Sequence, residues 1–180
     1  MFSAQELDLV RRAKQGDREA FGEIVHYHQQ AIFNVAYRLL GNIHDAEDAT
    51  QEAFIRAYRR FETFDPDHSL VPWLKQIVVN ICWNHLEQGK SVSPLDDELA
   101  PASDPNPGPE ALTVHHDRQE RIRDELLRLP PRYRLVIELR HFQDLSYEEI
   151  AEHLKRPLSD VKSDLFRARR LLAERLKDLR

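Results

Sequence analysis

The stretch SDVKSDLFRARRLLAERL, residues 159–176, decides how the second half of the chain folds. Its apolar residues recur at steps of three and four, which predicts an α-helix with one buried side. This apolar stripe consists of Val161, Leu165, Ala168, Leu172, Leu176 and, just beyond the stretch, Leu179. The far side carries Ser159, Ser163, Phe166 and Arg170, flanked by Lys162 and Arg167. Ser159 is the predicted N-cap, and Asp160 suits the positive end of the helix dipole.

A charged outer face is either merely solvated or a binding surface, and the preceding stretch LSYEEIAEHLKRPLSDV, residues 145–161, favours binding. Ser146 and Glu149 form a capping box that starts a short helix, and Pro157 restricts the next residues to a tight turn. Two helices joined in this way predict a helix-turn-helix, whose second helix reads base edges in the major groove. The candidate DNA contacts are Ser159, Lys162, Ser163, Phe166 and Arg167, of which Phe166 suits a thymine methyl group.

Composition and charge point to a helical protein with a locally basic end. The 180 residues are 41% hydrophobic and 32% charged with only five Gly, which favours helices in one domain or two small ones. The net charge is −5, yet residues 155–180 hold nine basic and four acidic side chains. That segment therefore carries +5 and the remainder −10. This asymmetry fits a DNA-reading C-terminal segment attached to a part of the chain that binds a different partner.

Several features of the sequence argue against other classes of protein. Cys82 is the only cysteine, so no intrachain disulfide and no cysteine-based zinc site is expected. His26 and His28 diverge by about 200° on a helix and cannot share an ion. No apolar run approaches the ~20 residues of a membrane span, and the first residues lack a signal peptide's apolar core. We expect a cytoplasmic protein without membrane insertion, metal, cofactor or small-molecule substrate.

The first part of the chain predicts four helices. Ser3 and Glu6 form a capping box for the first helix and Gly16 ends it, while Asp17 caps the second helix and Gly41 closes it. The third covers DAEDATQEAFIRAYRRF, residues 45–61, and its outward side carries Asp48, Gln51, Glu52 and Arg56. That side is open to two interpretations, a simple Glu52–Arg56 pair at i,i+4 or a protein-docking face.

The fourth predicted helix follows a loop at residues 64–68 and covers residues 69–88. Gln76, Asn80 and Trp83 face away from its apolar side, with Lys75 and Val79 at the edges. Trp83 either stacks on an unpaired base or packs on a neighbouring helix, and the sequence leaves both open.

Residues 89–113 lose all periodicity and collect Pro, Ser and Asp, which indicates a linker. The predicted organisation is a domain at 1–90, a flexible linker at 91–113 and a domain at 114–180. Helices are expected at 114–129 and 132–142 before the helix-turn-helix. The fold class is all-α, with two small helical domains and no strand pattern or internal repeat.

The stretches DAEDATQEAFIRAYRRF, FDPDHSLVPWLKQIVVNICWNHL and LPPRYRLVIELRHFQDLSYEEIAEHLKRPLSDVKSDLFRARRLLAERL, in this order, resemble a bacterial RNA polymerase sigma factor of the extracytoplasmic-function (ECF) group of the sigma-70 family. The resemblance covers nearly the whole chain outside the linker. It implies that a region 2-like domain binds core polymerase and the −10 element, and that a region 4-like domain binds the −35 element.

The resemblance also implies roles for individual residues. Core-polymerase binding, through the β′ clamp helices, falls to Asp48, Gln51, Glu52 and Phe54. Binding of −10 DNA falls to Phe64, His68, Ser69, Lys75, Gln76, Asn80 and Trp83. Binding of −35 DNA falls to Ser159, Asp160, Lys162, Ser163, Phe166, Arg167 and Arg170. The other implied partners are the β flap, promoter DNA and an anti-sigma factor, which would keep the protein silent and hold it at the membrane.

Several positions depart from the family pattern. Val71 and Val79 stand where basic residues are usual, so fewer phosphate contacts and a weaker salt dependence are expected near the −10 element. Lys155 stands where the turn usually has Gly. Ser159-Asp160 replaces a usual Gly-Thr, and Asp164 replaces a usual Arg. We expect Asp164 to repel phosphate or to accept from a cytosine amino group, which would alter the −35 preference.

Two other functions compete with a promoter-specificity subunit. A stand-alone helix-turn-helix regulator would bind duplex DNA by itself, usually as a dimer on spaced half-sites. A hydrolase or metalloenzyme would need a Gly-rich phosphate loop, a nucleophile arrangement or clustered ligands, and the sequence offers none of these. We therefore expect no catalytic residues.

Overall fold

A computed structural model describes residues 4–90 and 114–177, all of them in helices, turns or short connections. They divide into two compact units, one containing residues up to 37 and 42–85, the other containing residues 38–41 and those from 86 onward. The all-α fold class is confirmed for the described residues. The predicted linker at 91–113, the capping residue Ser3 and the last stripe residue Leu179 lie outside them.

The first unit consists of four α-helices and one 3₁₀ turn. Their bounds are α1 Ala4–Lys14, α2 Arg18–Leu40, α3 Ile43–Arg59, a 3₁₀ turn Phe61–Thr63 and α4 Leu70–Lys90. As predicted, Asp17 caps α2, because its Oδ1 accepts from the backbone N–H groups of Glu19 and Ala20 at 3.0 and 3.1 Å. Gly16 adopts a φ of 89°, in the left-handed region that suits glycine after a helix.

The third helix starts two residues before the predicted Asp45. Asn42 is its N-cap, since the Asn42 Oδ1 accepts from the N–H groups of His44 and Asp45 at 2.8 and 3.2 Å. The buried side of α3 is made of Ala46, Ala49, Thr50, Ala53, Phe54 and Ala57. Five of the six, all except Phe54, are small, and the opposite side of the helix is exposed to solvent.

An aromatic cluster fills the region where α2, the 3₁₀ turn and α4 meet. The ring centroid of Phe61 lies 5.2 Å from that of Phe21 and 6.0 Å from that of Trp73, in edge-on geometry. Phe64 adds a contact of 5.0 Å to Trp73. Offset and edge-on aromatic pairs are favourable beyond their buried area. The cluster therefore fixes the start of the loop that precedes α4.

The second unit contains four further α-helices and a π-helical turn. Their bounds are α5 Val114–Leu127, α6 Pro131–Ile137, a π turn Glu138–Phe142, α7 Tyr147–Leu154 and α8 Leu158–Arg175. The predicted capping box of α7 is confirmed. The Ser146 N–H donates to Glu149 Oε2 at 2.7 Å, and the Glu149 N–H donates to Ser146 Oγ at 3.2 Å. Helix α8 packs on both α6 and α7, and Val161, Leu165 and Ala168 of its apolar stripe are buried.

The predicted N-cap of the last helix is wrong by two residues. Helix α8 begins at Leu158, because the Pro157 carbonyl already accepts from the N–H groups of Asp160 and Val161. Ser159 therefore lies inside the first turn, where its hydroxyl bonds to Asp160 Oδ1 at 3.2 Å. Pro157 occupies the N-cap position predicted for Ser159 but makes no side-chain hydrogen bond there, and its fixed φ suits a helix start.

Lys155, the C-cap of α7 and first residue of the turn that follows it, has φ 52° and ψ 43°, which is left-handed backbone. This conformation costs a residue with a Cβ roughly 1–2 kcal/mol. Glycine avoids that cost but loses more conformational entropy on folding, which offsets part of the gain in stability. We predict that Lys155→Gly raises the free energy of unfolding of the second unit by about 0.5–1 kcal/mol. Hydrogen exchange of the α7 and α8 amides measures this. Tryptophan fluorescence is the control, since both tryptophans, Trp73 and Trp83, lie in the first unit.

His153 makes the second unit sensitive to acid. Its Nε2 is buried without a hydrogen-bond partner, and burial lowers the pKa of this half-buried imidazole. The unfolded chain therefore binds a proton more readily, near the ordinary pKa of about 6.5. Stability is present above that pH and is lost as the pH falls through it.

We predict that the protection of the α7 amides, corrected for intrinsic exchange rates, decreases between about pH 7.5 and 5.5. His153→Gln should weaken this dependence. An equal loss of protection in the variant would show that other groups titrate instead.

Candidate nucleic-acid and protein interfaces

The outward side of α3 is the first candidate interface. Asp48, Gln51 and Glu52 are exposed there, as the sequence predicts. The predicted position of Phe54 on this face needs correction, because Phe54 is only 7% exposed and belongs to the buried side of the helix. Phe54 follows Thr50 by four residues and precedes Ala57 by three, so it shares the buried side with them. Phe54 therefore supports the face from below and offers no side chain to a partner.

The pairing of Glu52 with Arg56 does occur, with 2.5 Å between Glu52 Oε1 and Arg56 Nη2. Both side chains remain about half exposed, so the pair contributes only a few tenths of a kcal/mol. The ion pair of the first interpretation is therefore present, but it leaves Glu52 on the surface. Glu52 can still meet a partner.

Helix α2 contributes to the same surface, which sequence reasoning missed. An open groove runs beside Gln51 and is lined by Gln29, Gln30, Phe33, Glu47, Thr50 and Gln51. The signal in the sequence is the polar pair Gln29-Gln30 interrupting the apolar positions of α2. Ile55 and Tyr58 of α3 are also exposed, at 52% and 43%. The surface therefore combines carboxylates, amides and apolar groups, as protein interfaces do.

The outward side of α4 is the second candidate interface. Gln76 and Asn80 are exposed, and Lys75 and Trp83 are half-buried. The predicted position of Val79 at the edge of this face is wrong, because Val79 is fully buried. Its replacement of a usual basic residue therefore adds packing in the core rather than leaving a gap on the surface.

The loop before α4 is held by polar contacts at both ends. The Asp65 carboxylate accepts from the backbone N–H of Asp67 at 3.0 Å and lies 3.1 Å from His68 Nδ1. The N–H of Asp67 and, next, the His68 charge lower the pKa of Asp65. Lys14 of α1 donates to the Phe64 carbonyl at 2.5 Å. The loop is thus braced from α1, through a residue that sequence reasoning did not single out.

Within this loop, the predicted contact residues differ in their exposure to solvent. His68 and Ser69 are exposed and accessible to a ligand. Phe64 is only 2% exposed, because it belongs to the aromatic cluster. In this conformation its ring cannot stack on a base, so Phe64 is a support of the loop and not a contact residue.

The outward side of α8 is the third candidate interface and agrees best with the sequence. Its exposed residues are Ser159, Asp160, Lys162, Ser163, Phe166, Arg167 and Arg170. Phe166 is 67% exposed, the largest exposure among the big apolar residues described. An aromatic ring held in water between basic side chains gains from meeting an apolar group such as a thymine methyl.

Asp164 does not belong to this face, which corrects the expectation that it meets DNA. It is 5% exposed, and its Oδ2 lies 2.7 Å from Nη2 of Arg156, in the turn before α8. Position 164 belongs to the buried series with 161, 165 and 168, at steps of three and four. The carboxylate therefore fixes the turn to the helix instead of repelling phosphate.

The described residues contain no group of three His, Cys, Asp or Glu side chains that could hold a metal ion. His28 Nε2 lies 3.2 Å from Oε1 of Glu6 in α1. None of the described helices has the length and apolar character needed to cross a membrane.

Comparisons with known proteins match both halves of the chain. Residues 24–92 match the family Sigma-70 region 2, and residues 119–172 match Sigma-70, region 4. The ECF RNA polymerase sigma factor SigW of Bacillus subtilis is 35% identical over 94% of this chain and 96% of its own. The RNA polymerase sigma-H factor of Pseudomonas aeruginosa is 33% identical over 97% of this chain and 95% of its own.

Two solved structures share the fold. CnrH, in complex with the cytosolic domain of CnrY, has a TM-score of 0.60 at 23% identity and covers 97% of this chain and 99% of its own. The sigma factor RpoE of Bartonella quintana, in complex with the anti-sigma factor NepR, has a TM-score of 0.60 at 22% identity and covers 87% and 96%.

A helix-turn-helix unit with a polar reading face, joined in one chain to a helical unit with two further polar faces, defines a DNA-binding transcription protein. The matches narrow this class. The chain belongs to the sigma-70 family and, within it, to the ECF group of sigma factors. As such it directs core RNA polymerase to promoters in transcription initiation, through region 2 and region 4.

The ion pair in the helix-turn-helix yields a stability prediction. Asp164→Ala leaves the three-quarters-buried Arg156 side chain without its carboxylate, which costs about 1–3 kcal/mol in the second unit. Hydrogen exchange of α7 and α8 measures this loss. Asp160→Ala, an exposed acid on the same helix, is the matched control and should cost under about 0.5 kcal/mol. The charge-swapped pair Arg156→Asp with Asp164→Arg should recover part of the loss. Equal effects of the two alanine variants would contradict the role of the pair.

Proposed function

We propose a division of labour among the three polar faces of this sigma factor. The α3 face with Asp48, Gln51 and Glu52 binds the β′ clamp helices of core polymerase. The α4 face and the loop at 64–69 hold the −10 element, and the α8 face reads the −35 element. The single observation that carries this proposal is that each face stays polar and exposed on a helix whose opposite side is buried.

Opening of the −10 region would use binding energy alone. Each base taken out of the stack costs a few kcal/mol, and an aromatic or polar platform returns roughly 1–3 kcal/mol per base. Gln76 and Asn80 offer amide groups for base edges, and the half-exposed ring of Trp83 offers an apolar surface. Trp83 also has an interaction within the protein.

Recognition at the −35 element would combine base contacts with phosphate contacts. Lys162, Arg167 and Arg170 supply positive charge on the outer face of α8, and Phe166 supplies an apolar contact between them. Neither region binds DNA tightly alone, because each has few contacts. Attachment of both regions to core polymerase makes the second contact intramolecular and raises its effective concentration.

The protein would therefore act by binding and not by catalysis, in the cytoplasm, where core polymerase is found. We also propose that a cognate anti-sigma factor covers the exposed faces and keeps the protein inactive. In support, both solved structures described above are complexes, one with the cytosolic domain of CnrY and one with an anti-sigma factor. The groove between α2 and α3 and the exposed Ile55 and Tyr58 offer apolar surface to such a partner.

Run-off transcription with purified core polymerase on genomic promoter fragments tests this proposal directly. We expect transcripts only when the chain and core polymerase are both present. A chain that binds an intact duplex site tightly by itself, and does not associate with core polymerase, would instead be a stand-alone helix-turn-helix regulator.

The docking face gives a prediction with an internal control. Glu52→Ala should weaken the affinity for core polymerase by about tenfold, corresponding to about 1.4 kcal/mol, because it removes a carboxylate from the interface. Arg56→Ala breaks the same surface ion pair while it keeps Glu52, and should change the affinity by less than about threefold. Fluorescence anisotropy of labelled chain with core polymerase measures both. Equal losses in the two variants would mean that Glu52 acts through its pair with Arg56.

A further inference from the structure

Lys14, the last residue of α1, holds the loop before α4 at the point where that loop leaves the aromatic cluster. Its Nζ donates to the Phe64 carbonyl at 2.5 Å, although the two residues lie 50 positions apart in the chain. Phe64 is buried and Lys14 is half-buried. A charged donor makes a stronger hydrogen bond than a neutral one, and shielding from water strengthens it further. The bond is therefore a strong constraint on the backbone at Phe64.

Phe64 is fixed at three points. The centroid of its ring lies 5.0 Å from that of Trp73, its N–H donates to the Phe61 carbonyl at 3.1 Å, and its carbonyl accepts from Lys14. The contact at the carbonyl acts furthest along the chain, because this carbonyl and the N–H of Asp65 belong to one rigid peptide plane. Lys14 therefore fixes the orientation in which the chain enters the loop.

The next four residues form a turn with hydrogen bonds of its own. The Asp65 carboxylate accepts from the Asp67 N–H at 3.0 Å and lies 3.1 Å from His68 Nδ1. The Asp65 carbonyl accepts from the His68 N–H at 3.0 Å. Because these bonds join the turn to itself, it moves as one piece. A rotation of the peptide plane before Asp65 would therefore redirect the exposed side chains of His68 and Ser69 together.

Helix α1 is a suitable anchor for such a contact. Leu9 and Val10 are buried, which fixes the side of α1 that packs on the rest of the unit. Near its end, Arg12 Nη2 lies 2.7 Å from Oδ2 of Asp17, the cap of α2. The position of Lys14 is therefore determined by packing and by an ion pair, and its side chain transmits that position to the loop.

We propose that Lys14 is a positioning residue for recognition of the −10 element. Through the Phe64 carbonyl it holds the turn Asp65–His68 in the orientation in which His68 and Ser69 meet an unpaired base. The proposal rests on the proposed function in assigning −10 DNA to this loop. A loop that is already ordered loses less entropy on binding. Loss of the Lys14 bond should therefore weaken binding only where the loop engages a base.

The first test measures binding of the holoenzyme to fork-junction DNA in which one strand of the −10 element is unpaired. Abasic sites are placed along that strand one at a time. The base that the loop engages is the one whose removal abolishes the effect of the double variant His68→Ala with Ser69→Ala. If no position behaves in this way, the loop does not read −10 DNA and the proposal is overturned.

Lys14→Met keeps the length of the side chain but removes the donor. It should weaken binding of the intact fork by about fivefold, and that of the fork lacking the engaged base by less than about 1.5-fold. Lys14→Arg keeps a cationic donor and should retain most of the affinity. Equal losses on both forks, or no loss on either, would overturn the proposal, because Lys14 would then act independently of the loop.

Arg11 supplies the matched control. It is an exposed basic residue in the last turn of the same helix, so Arg11→Met removes the same charge from α1 without removing the bond to Phe64. This variant should show no difference between the two forks beyond that of the unaltered chain. If it reproduces the effect of Lys14→Met, the charge of α1 and not the bond is responsible, and the proposal is overturned.

The second test needs neither polymerase nor DNA and is made on the full chain by NMR relaxation of backbone amides. Lys14→Met should lower the order parameters of the amides from Asp65 to Ser69 and leave those of α2 and α3 unchanged, while Lys14→Arg should leave the loop ordered. Unchanged loop amides in Lys14→Met overturn the proposal. Changes that spread through α2 and α3 also overturn it, because they indicate a general loss of structure.

The two tests separate this proposal from the proposed function. If the loop amides become mobile in Lys14→Met but the chain does not support run-off transcription, the proposed function fails and the role of Lys14 in ordering the loop remains. If the chain supports transcription but the effect of Lys14→Met is the same with and without the engaged base, only the positioning role fails.

Discussion

Burial of one side of each helix is the constraint on which the rest of this structure depends. In α8, the fully buried residues Val161, Leu165 and Ala168 fix which side of the helix faces solvent. Because side chains on a helix repeat every 3.6 residues, fixing one side also fixes the direction of Phe166, Arg167 and Arg170. The same logic holds for α3, where small residues fill the buried side and carboxylates occupy the other. Packing of the buried side therefore determines which residues each exposed face can offer to a partner.

Charge is arranged around this packing in two ways. On the reading face, basic side chains remain exposed and available for phosphate, while the acidic Asp164 is turned inward and neutralised by Arg156. On α3, the acids remain exposed. A chain with a net charge of −5 can therefore present a locally basic surface to DNA and an acidic surface to a protein.

The proposed mechanism needs little from each domain separately. An interface with few contacts releases DNA readily, and sequence-specific opening then requires both regions to act together on polymerase. Such a division keeps the free protein from occupying promoters by itself. It also makes the exposed faces accessible to an anti-sigma factor, whose binding would compete directly with polymerase or DNA.

The sequence by itself determined the all-α class, the helices and most of their ends, because periodicity, capping residues and glycines act locally. It also predicted which side of α8 is exposed, since the apolar stripe there is uninterrupted. Only the tertiary structure decided the positions of Phe54, Phe64, Val79 and Asp164, all of them buried. The physical reason is that a residue at the edge of a helix's apolar side is buried only when residues outside that helix cover it. Asp164 illustrates this best, because its carboxylate is hidden only where Arg156 of the preceding turn supplies the opposite charge. The bond from Lys14 to the Phe64 carbonyl likewise requires two separate elements to pack together, which no spacing within one element could predict.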